Sequence, residues 1–192
     1  NGFEQELKDR VLNVIPHASI YGLNPIDDWE SVEINLREDT NIRGISPYIE
    51  TEALIKSKSA VAGVLVNGVI ASKDKSVSVI HEFMQTGNFE KIQTSNNIVL
   101  GRLLARKLNV DVGDKISLML PDTSSSFAGY FPKSKVFNIS GIFNIGSKDI
   151  DETLAYISLE NASILTGLKN QVHGFRLKFD DLFEAPYLVW QS

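Results

Sequence analysis

Cysteine is absent from the 192 residues. That excludes a disulfide framework, a thiolate nucleophile and any Cys-ligated metal. Long hydrophobic runs are missing too: apolar stretches such as 60–66 stop far short of the roughly 20 residues a membrane helix needs. Positive charge is in short supply, with 19 Lys and Arg against 24 Asp and Glu and a net charge of -5. A phosphate-neutralising surface needs clustered cations, so nucleic acid and anionic membrane faces are poor partners for this composition. The three histidines, His17, His81 and His173, are scattered without metal-ligand spacing and read as surface or core residues. No phosphate-binding Gly-rich loop, nucleophile elbow, dinucleotide fingerprint or H-E-x-x-H pair occurs. The acidic pairs Asp27-Asp28 and Asp180-Asp181 read as turn and cap residues rather than as catalytic carboxylates. Asn138-Ile139-Ser140 matches a glycosylation sequon but falls within an expected strand.

What remains is an ordinary globular balance, 43% hydrophobic and 22% charged, long enough for one large domain or two small subdomains. Starting at Asn1 without methionine and stopping at Ser192 after the apolar run 187–190, the chain reads as a piece of a longer protein. Phe3, Leu7, Val11, Val14 and Ile15 recur at helical spacing among charged residues and predict an amphipathic helix ended by Pro16. Strand 18–23, cap chemistry at Asp27-Asp28, helix 29–37 and strand 42–56, with a break at Pro47, suggest a βαβ-like layer. A second unit is expected from about residue 58. It has strands at 60–69, 97–100, 115–120, 135–143 and 154–159 and helices at 101–108 and 160–165; a strand at 174–179 completes the chain. The fold class is α+β, with 115–120 and 135–143 paired as a hairpin.

The connection in that hairpin, 121–134, is unusual, because hairpin loops normally take about two to five residues. It carries Phe127, Tyr130 and Phe131 around Gly129 and between Pro121 and Pro132, after the run Ser124-Ser125-Ser126. A loop tip has little scaffold in which to bury three aromatics, so they are candidates for a partner; the competing reading folds Phe127 and Phe131 back onto the domain as an Ω-loop.

Several segments in order resemble the LolC/LolE family of lipoprotein-releasing transporter subunits: Asn1 to Leu7 with Val14-Ile15-Pro16-His17, Ile45-Ser46-Pro47-Tyr48-Ile49, Ile98-Val99-Leu100-Gly101, Val112-Gly113-Asp114, Met119-Leu120-Pro121, Phe137 to Phe143 and Gly174-Phe175-Arg176-Leu177. The resemblance covers most of the chain. It implies a non-enzymatic periplasmic domain of an inner-membrane protein, carrying lipoproteins towards the outer membrane with a LolD-type ATPase and a LolC/LolE partner subunit, and no cofactor. It implies a MacB-like periplasmic core, with a discontinuous βα-rich porter at 1–57 and 171–192, incomplete at its C-terminal end, and a strand-rich sabre at 58–170. In LolC-like members a proline-bounded hook enters the chaperone LolA above a polar and basic pad. The matching residues are Pro121, Phe127, Ala128, Gly129, Tyr130, Phe131 and Pro132 in the hook, with Ser134 and Lys135 in the pad. The proline-bounded pattern leans towards LolC. This chain departs from the family where Ser134 and Ser117 replace larger polar or basic side chains and Ala128 replaces a larger apolar one. Two other classes compete: a MacB-like efflux or mechanotransmission domain that binds a periplasmic adaptor, and a hydrolase or lipid-binding enzyme with an unrecognised site.

Overall fold

The computed structural model describes residues 18–120 and 133–180. The expected opening helix and the aromatic connection lie outside the described residues.

The first layer follows from short-range patterning. Strand β1 (Ala18–Ile26) leads through Asp27-Asp28 into helix α1 (Trp29–Leu36), and strand β2 (Ile42–Lys56) follows. β9 (Val172–Phe179) inserts between β1 and β2, antiparallel to both, so the expected βαβ layer is a split one. Trp29, Val32 and Leu36 of α1 close over Ile45, Phe175, Leu177 and Phe179. Asp28 caps differently from expectation: it sits in the left-handed region (φ 43°, ψ 46°) and its side chain makes no cap hydrogen bond, while its carbonyl accepts from Ser31 N–H. The carboxylate of Asp27 is engaged instead by Gln171 Nε2 at 2.6 Å.

β2 runs through Pro47 without a break. Pro47 pairs with Phe175 on β9, and pairing to β3 (Val61–Val69) begins only at Tyr48. Glu50 N–H points towards β9, donating to His173 Nδ1 at 3.1 Å. Backbone N–H groups alternate in direction along a strand, so the nitrogen of Pro47 faces the other way, past the end of β3, where no ladder bond is forfeited.

The central feature was not foreseen from local pattern. β2 pairs β3, β3 pairs β8 (Leu154–Ser158), β8 pairs β5 (Asn97–Gly101), β5 pairs β7 (Lys133–Phe143), β7 pairs β6 (Lys115–Leu120), and β6 returns to β2. The six strands close a ring, and closure removes their free edges. All six contribute to one buried cluster, including Ile55, Val64, Leu100, Ile116, Phe137 and Ile157, completed by Leu104 and Leu108 of α3 (Arg102–Leu108) and Ala162 and Leu165 of α5 (Leu159–Thr166). A Cβ on Gly68 would collide with that of Ala162, so a glycine is what lets α5 lie directly on β3. Outside the ring, α2 (Ala71–Asp74), the 3-10 turns Ile80–Phe83 and Phe89–Gln93, β4 (Met84–Gly87) and α4 (Lys148–Thr153) complete the described elements; all of them help cover a second core, where Phe89 and Phe143 meet Tyr156 edge-on. These short pieces carry too little periodicity to be read from sequence.

Candidate partner-docking surface

β6 and β7 form the expected hairpin, in register from Lys115↔Asn138 to Leu120↔Lys133. The described arms end at Leu120 and Lys133, and the twelve residues 121–132 join them in sequence. Pro121, Phe127, Ala128, Gly129, Tyr130, Phe131 and Pro132 all fall in that connection and lie outside the described residues.

The two pad candidates lie on opposite faces of β7, because adjacent strand residues alternate. Ser134 is exposed on the outside of the ring, opposite Met119. Lys135 shares the inner face with Phe137; it is half-buried, and its Nζ donates to Asn161 Oδ1 on α5 at 2.8 Å. Asn161 is buried and also donates through Nδ2 to Ser95 O at 3.3 Å, while its backbone N–H donates to the capping Ser158 Oγ. Lys135 is thus a tether between strand and helix. On the outer face, Ser134 and Ser117 lie beside Leu54, Met119 and Val136, of which sequence reasoning did not connect Leu54 to the hairpin. The alternation of β6 and β7 pointed to that face; the contribution of β2 did not, since it depends on ring closure.

A polar cluster lies elsewhere, where β9, β2 and β3 run side by side. Arg176 Nη2 donates to Glu50 Oε2 at 2.9 Å and to Asn67 Oδ1 at 2.5 Å, with the guanidinium 4.5 Å from the Tyr48 ring centre. Arg176, Glu50 and Asn67 border a cavity of about 290 Å³ with Asp74, Ser78 and Tyr156. Asp74 is 1% exposed and its Oδ1 has no hydrogen-bond partner among the described residues. Burial raises its carboxyl to about 6, with Arg176 pulling in the opposite direction. Burial, reinforced by the Asp74 charge, also pushes the Tyr156 hydroxyl up. Ser78 Oγ accepts from Ile80 N–H, and His81 and His173 line none of this cavity, so no serine–histidine pair converges there. The arrangement joins three strands through one buried cation and does not present an activated nucleophile. Burial lowers the pKa of His81, and His173 Nδ1 is taken up by Glu50 N–H. Among the described residues no group of three His, Asp or Glu side chains could hold a metal.

Comparison with known proteins fits this geometry. The MacB-like periplasmic core domain family matches residues 1–182. The transmembrane protein LolC of a lipoprotein-releasing system in Xylella fastidiosa is 32% identical over 96% of this chain and 45% of its own length. A LolC from Neisseria meningitidis is 33% identical over 98% of the chain and 46% of its own length. A LolE from Haemophilus influenzae is 32% identical with the same coverage as the latter. The chain therefore spans about half the length of these relatives. In structure, the extracellular domain of the noncanonic ABC-type transporter YknZ from Gram-positive bacteria superposes with a TM-score of 0.56 at 9% identity, covering 86% of this chain and 79% of that one. The periplasmic region of MacB from Actinobacillus actinomycetemcomitans gives 0.54 at 11% identity, covering 90% and 75%. At such identities these two speak for the fold alone. A family match along almost the whole chain, joined to relatives above 30% identity, settles the assignment: the chain belongs to the MacB-like periplasmic core domains, and within them to the LolC/LolE family.

Proposed function

We propose that this chain is the periplasmic part of a membrane subunit in a lipoprotein-releasing ABC transporter, and that its β6–β7 hairpin presents residues 121–132 to a LolA-type chaperone. The observation that carries the reading is the hairpin itself. Two strands in unbroken register from Lys115 to Leu120 and from Lys133 to Asn138 give a stiff base for a proline-bounded connection with three aromatics. Aromatic side chains on a rigid support lose little conformational entropy on docking, which makes them effective anchors. ATP hydrolysis belongs in this reading to a separate LolD-type subunit, and the lipoprotein is cargo handed on. The porter of the family corresponds to 1–57 and 171–192, and the sabre to 58–170, with β2 pairing β9 of the first and β3 and β6 of the second. Relatives named LolC and LolE are equally similar, and the proline-bounded connection favours a LolC-like role.

The test is chaperone binding by the Tyr130→Ala/Phe131→Ala double variant. One anchor of typical size, worth about 2 kcal/mol, corresponds to a loss of about thirtyfold. Unchanged affinity together with a lower melting temperature would favour the Ω-loop reading. The fold shared with MacB and YknZ supports a second reading, an efflux or mechanotransmission domain. Capture of a periplasmic adaptor in place of the chaperone would favour it.

A further inference from the structure

Among the buried acids of the described residues, Asp74 stands apart. Glu33 is paired with Arg37 and Lys73, and Asp151 accepts from the N–H groups of Ile145 and Gly146. Asp74 is more deeply buried than either, yet its Oδ1 has no hydrogen-bond partner among the described residues. Its backbone is spent in α2 and the turn after it: the N–H donates to Ile70 O, and the carbonyl accepts from Val77 and Ser78 N–H at 3.0 and 2.9 Å. The side chain alone is left over, and it lines the cavity of about 290 Å³. An uncompensated buried carboxylate is costly, so the position calls for a group that brings donors and positive charge.

The cavity walls indicate which group fits. Glu50, Asn67 and Tyr156 fall in one row across β2, β3 and β8, and Asp74 and Ser78 close the cavity over them. Asn67, Ser78 and Tyr156 are buried with Asp74, whereas Ser19 and Glu50 are exposed, so a mouth at β1 and β2 leads to a polar floor. Two carboxylates face one guanidinium, and that guanidinium is already held by Glu50 and Asn67. The lining therefore has one negative charge in excess when Asp74 is ionised. At the floor, Asp74 Oδ1 and the hydroxyl oxygens of Ser78 and Tyr156 are acceptors, which an ammonium matches with three donors and no lone pair. They are too few for a divalent cation such as calcium, which takes about six or more oxygens. The volume is several times the roughly 30 Å³ share of one water molecule and admits a short organic amine. Leu65, Ile150 and Leu154, each half-buried, supply an apolar side for its alkyl stem.

We infer that this cavity is a binding site for a small, protonated primary amine, with its ammonium on Asp74, Ser78 and Tyr156 and its alkyl stem directed past Leu65 and Ile150 towards the mouth. No residue of β6 or β7 lines it, so the site is separate from the hairpin. An occupant bears instead on β9, β2 and β3, the strands that Arg176 joins. Binding requires the ionised form of Asp74. The titratable groups facing it are Arg176 from β9, Glu50 from β2 and Tyr156 from β8, while β1 and α4 contribute Ser19 and Ile150. Asp74 holds its proton up to about pH 6, so amine and proton compete for one carboxylate, and affinity falls about tenfold between pH 7 and pH 5.

The experiment titrates n-propylammonium chloride into the whole chain by calorimetry in an amine-free buffer at neutral pH, with sodium chloride and tetramethylammonium chloride as matched titrants. Saturable binding in the millimolar range or tighter is expected for n-propylammonium. Neither sodium nor tetramethylammonium binds, since the latter has the charge without an N–H donor. Asp74→Asn keeps the shape of the side chain, removes its charge and weakens n-propylammonium at least tenfold. Phosphoethanolamine, the soluble counterpart of a lipid headgroup, binds more weakly because its phosphate meets Glu50 at the mouth. Absence of saturable binding to the folded wild-type chain overturns the proposal, as does equal affinity in Asp74→Asn, an affinity independent of pH, or an equal response to sodium or tetramethylammonium. Tighter binding of phosphoethanolamine than of n-propylammonium also overturns it, by replacing the free amine with a headgroup.

Discussion

Arg176 on β9 reaches past β2 to donate 2.5 Å to Asn67 Oδ1 on β3, joining residues 109 apart in sequence. The guanidinium is 8% exposed for the residue as a whole and also holds Glu50, so one side chain ties the outer layer to the ring. Arg176→Ala leaves Glu50 and Asn67 without their shared donor and Asp74 without its nearest compensating charge. Arg176 is buried but the Glu50 side chain is 41% exposed, so losing the donor costs on the order of 1–3 kcal/mol, to be read by urea denaturation at neutral pH. A change below about 1 kcal/mol would show that the strap is replaceable by water.

Asp74 makes stability depend on pH with a definite sign. Its folded-state pKa, about 6, lies above the ordinary 3.8, so the native state holds the proton more tightly than the unfolded chain does. The contribution of Asp74 to stability is therefore greatest below about pH 4, falls as pH rises towards 6 and levels off above it. The size of this one contribution is on the order of 3 kcal/mol. Asp74→Asn should flatten this part of the profile and raise the melting temperature at pH 7. A profile unchanged by the substitution would place the titration elsewhere.

Two glycines on β3 should respond in opposite ways. Gly68→Ala drives a methyl into Ala162 of α5, and overpacking of this kind costs about 1–3 kcal/mol. Gly63→Ala meets nothing within 4 Å, and an exposed substitution of this type stays within about 0.5 kcal/mol. Paired thermal melts decide it; equal shifts would mean that α5 moves away from the sheet at no cost.

Lys135 serves the fold before any partner. Lys135→Met removes the donor to Asn161 Oδ1 and should cost about 0.5–1.5 kcal/mol, with chaperone affinity changing less than threefold. A large affinity loss at unchanged melting temperature would return Lys135 to the binding surface.

The elements that periodicity describes well were legible in advance: Trp29, Val32 and Leu36 on α1, the alternation of Ile116 and Leu118 on β6, and that of Phe137 and Ile139 on β7. The pairing of β6 with β7 followed from two alternating runs with a turn-rich connection between them. Asp28 misled because side-chain capping chemistry is a statement about residue type, whereas its left-handed backbone turns that side chain away from the helix amides. Pro47 misled because its cost depends on whether a strand lies on the side its nitrogen faces.

By itself, the sequence determined that this chain forms an α+β domain with a strand pair carrying an aromatic, proline-bounded connection, because those features depend on residues close together along the chain. Only the tertiary structure decided that β6 closes onto β2, that Lys135 turns inward to Asn161, and that Leu54, Gly63, Met119 and Val136 share one open face. These relationships join segments tens of residues apart, and register between distant strands is set by how the whole ring fills its interior, which no local pattern encodes.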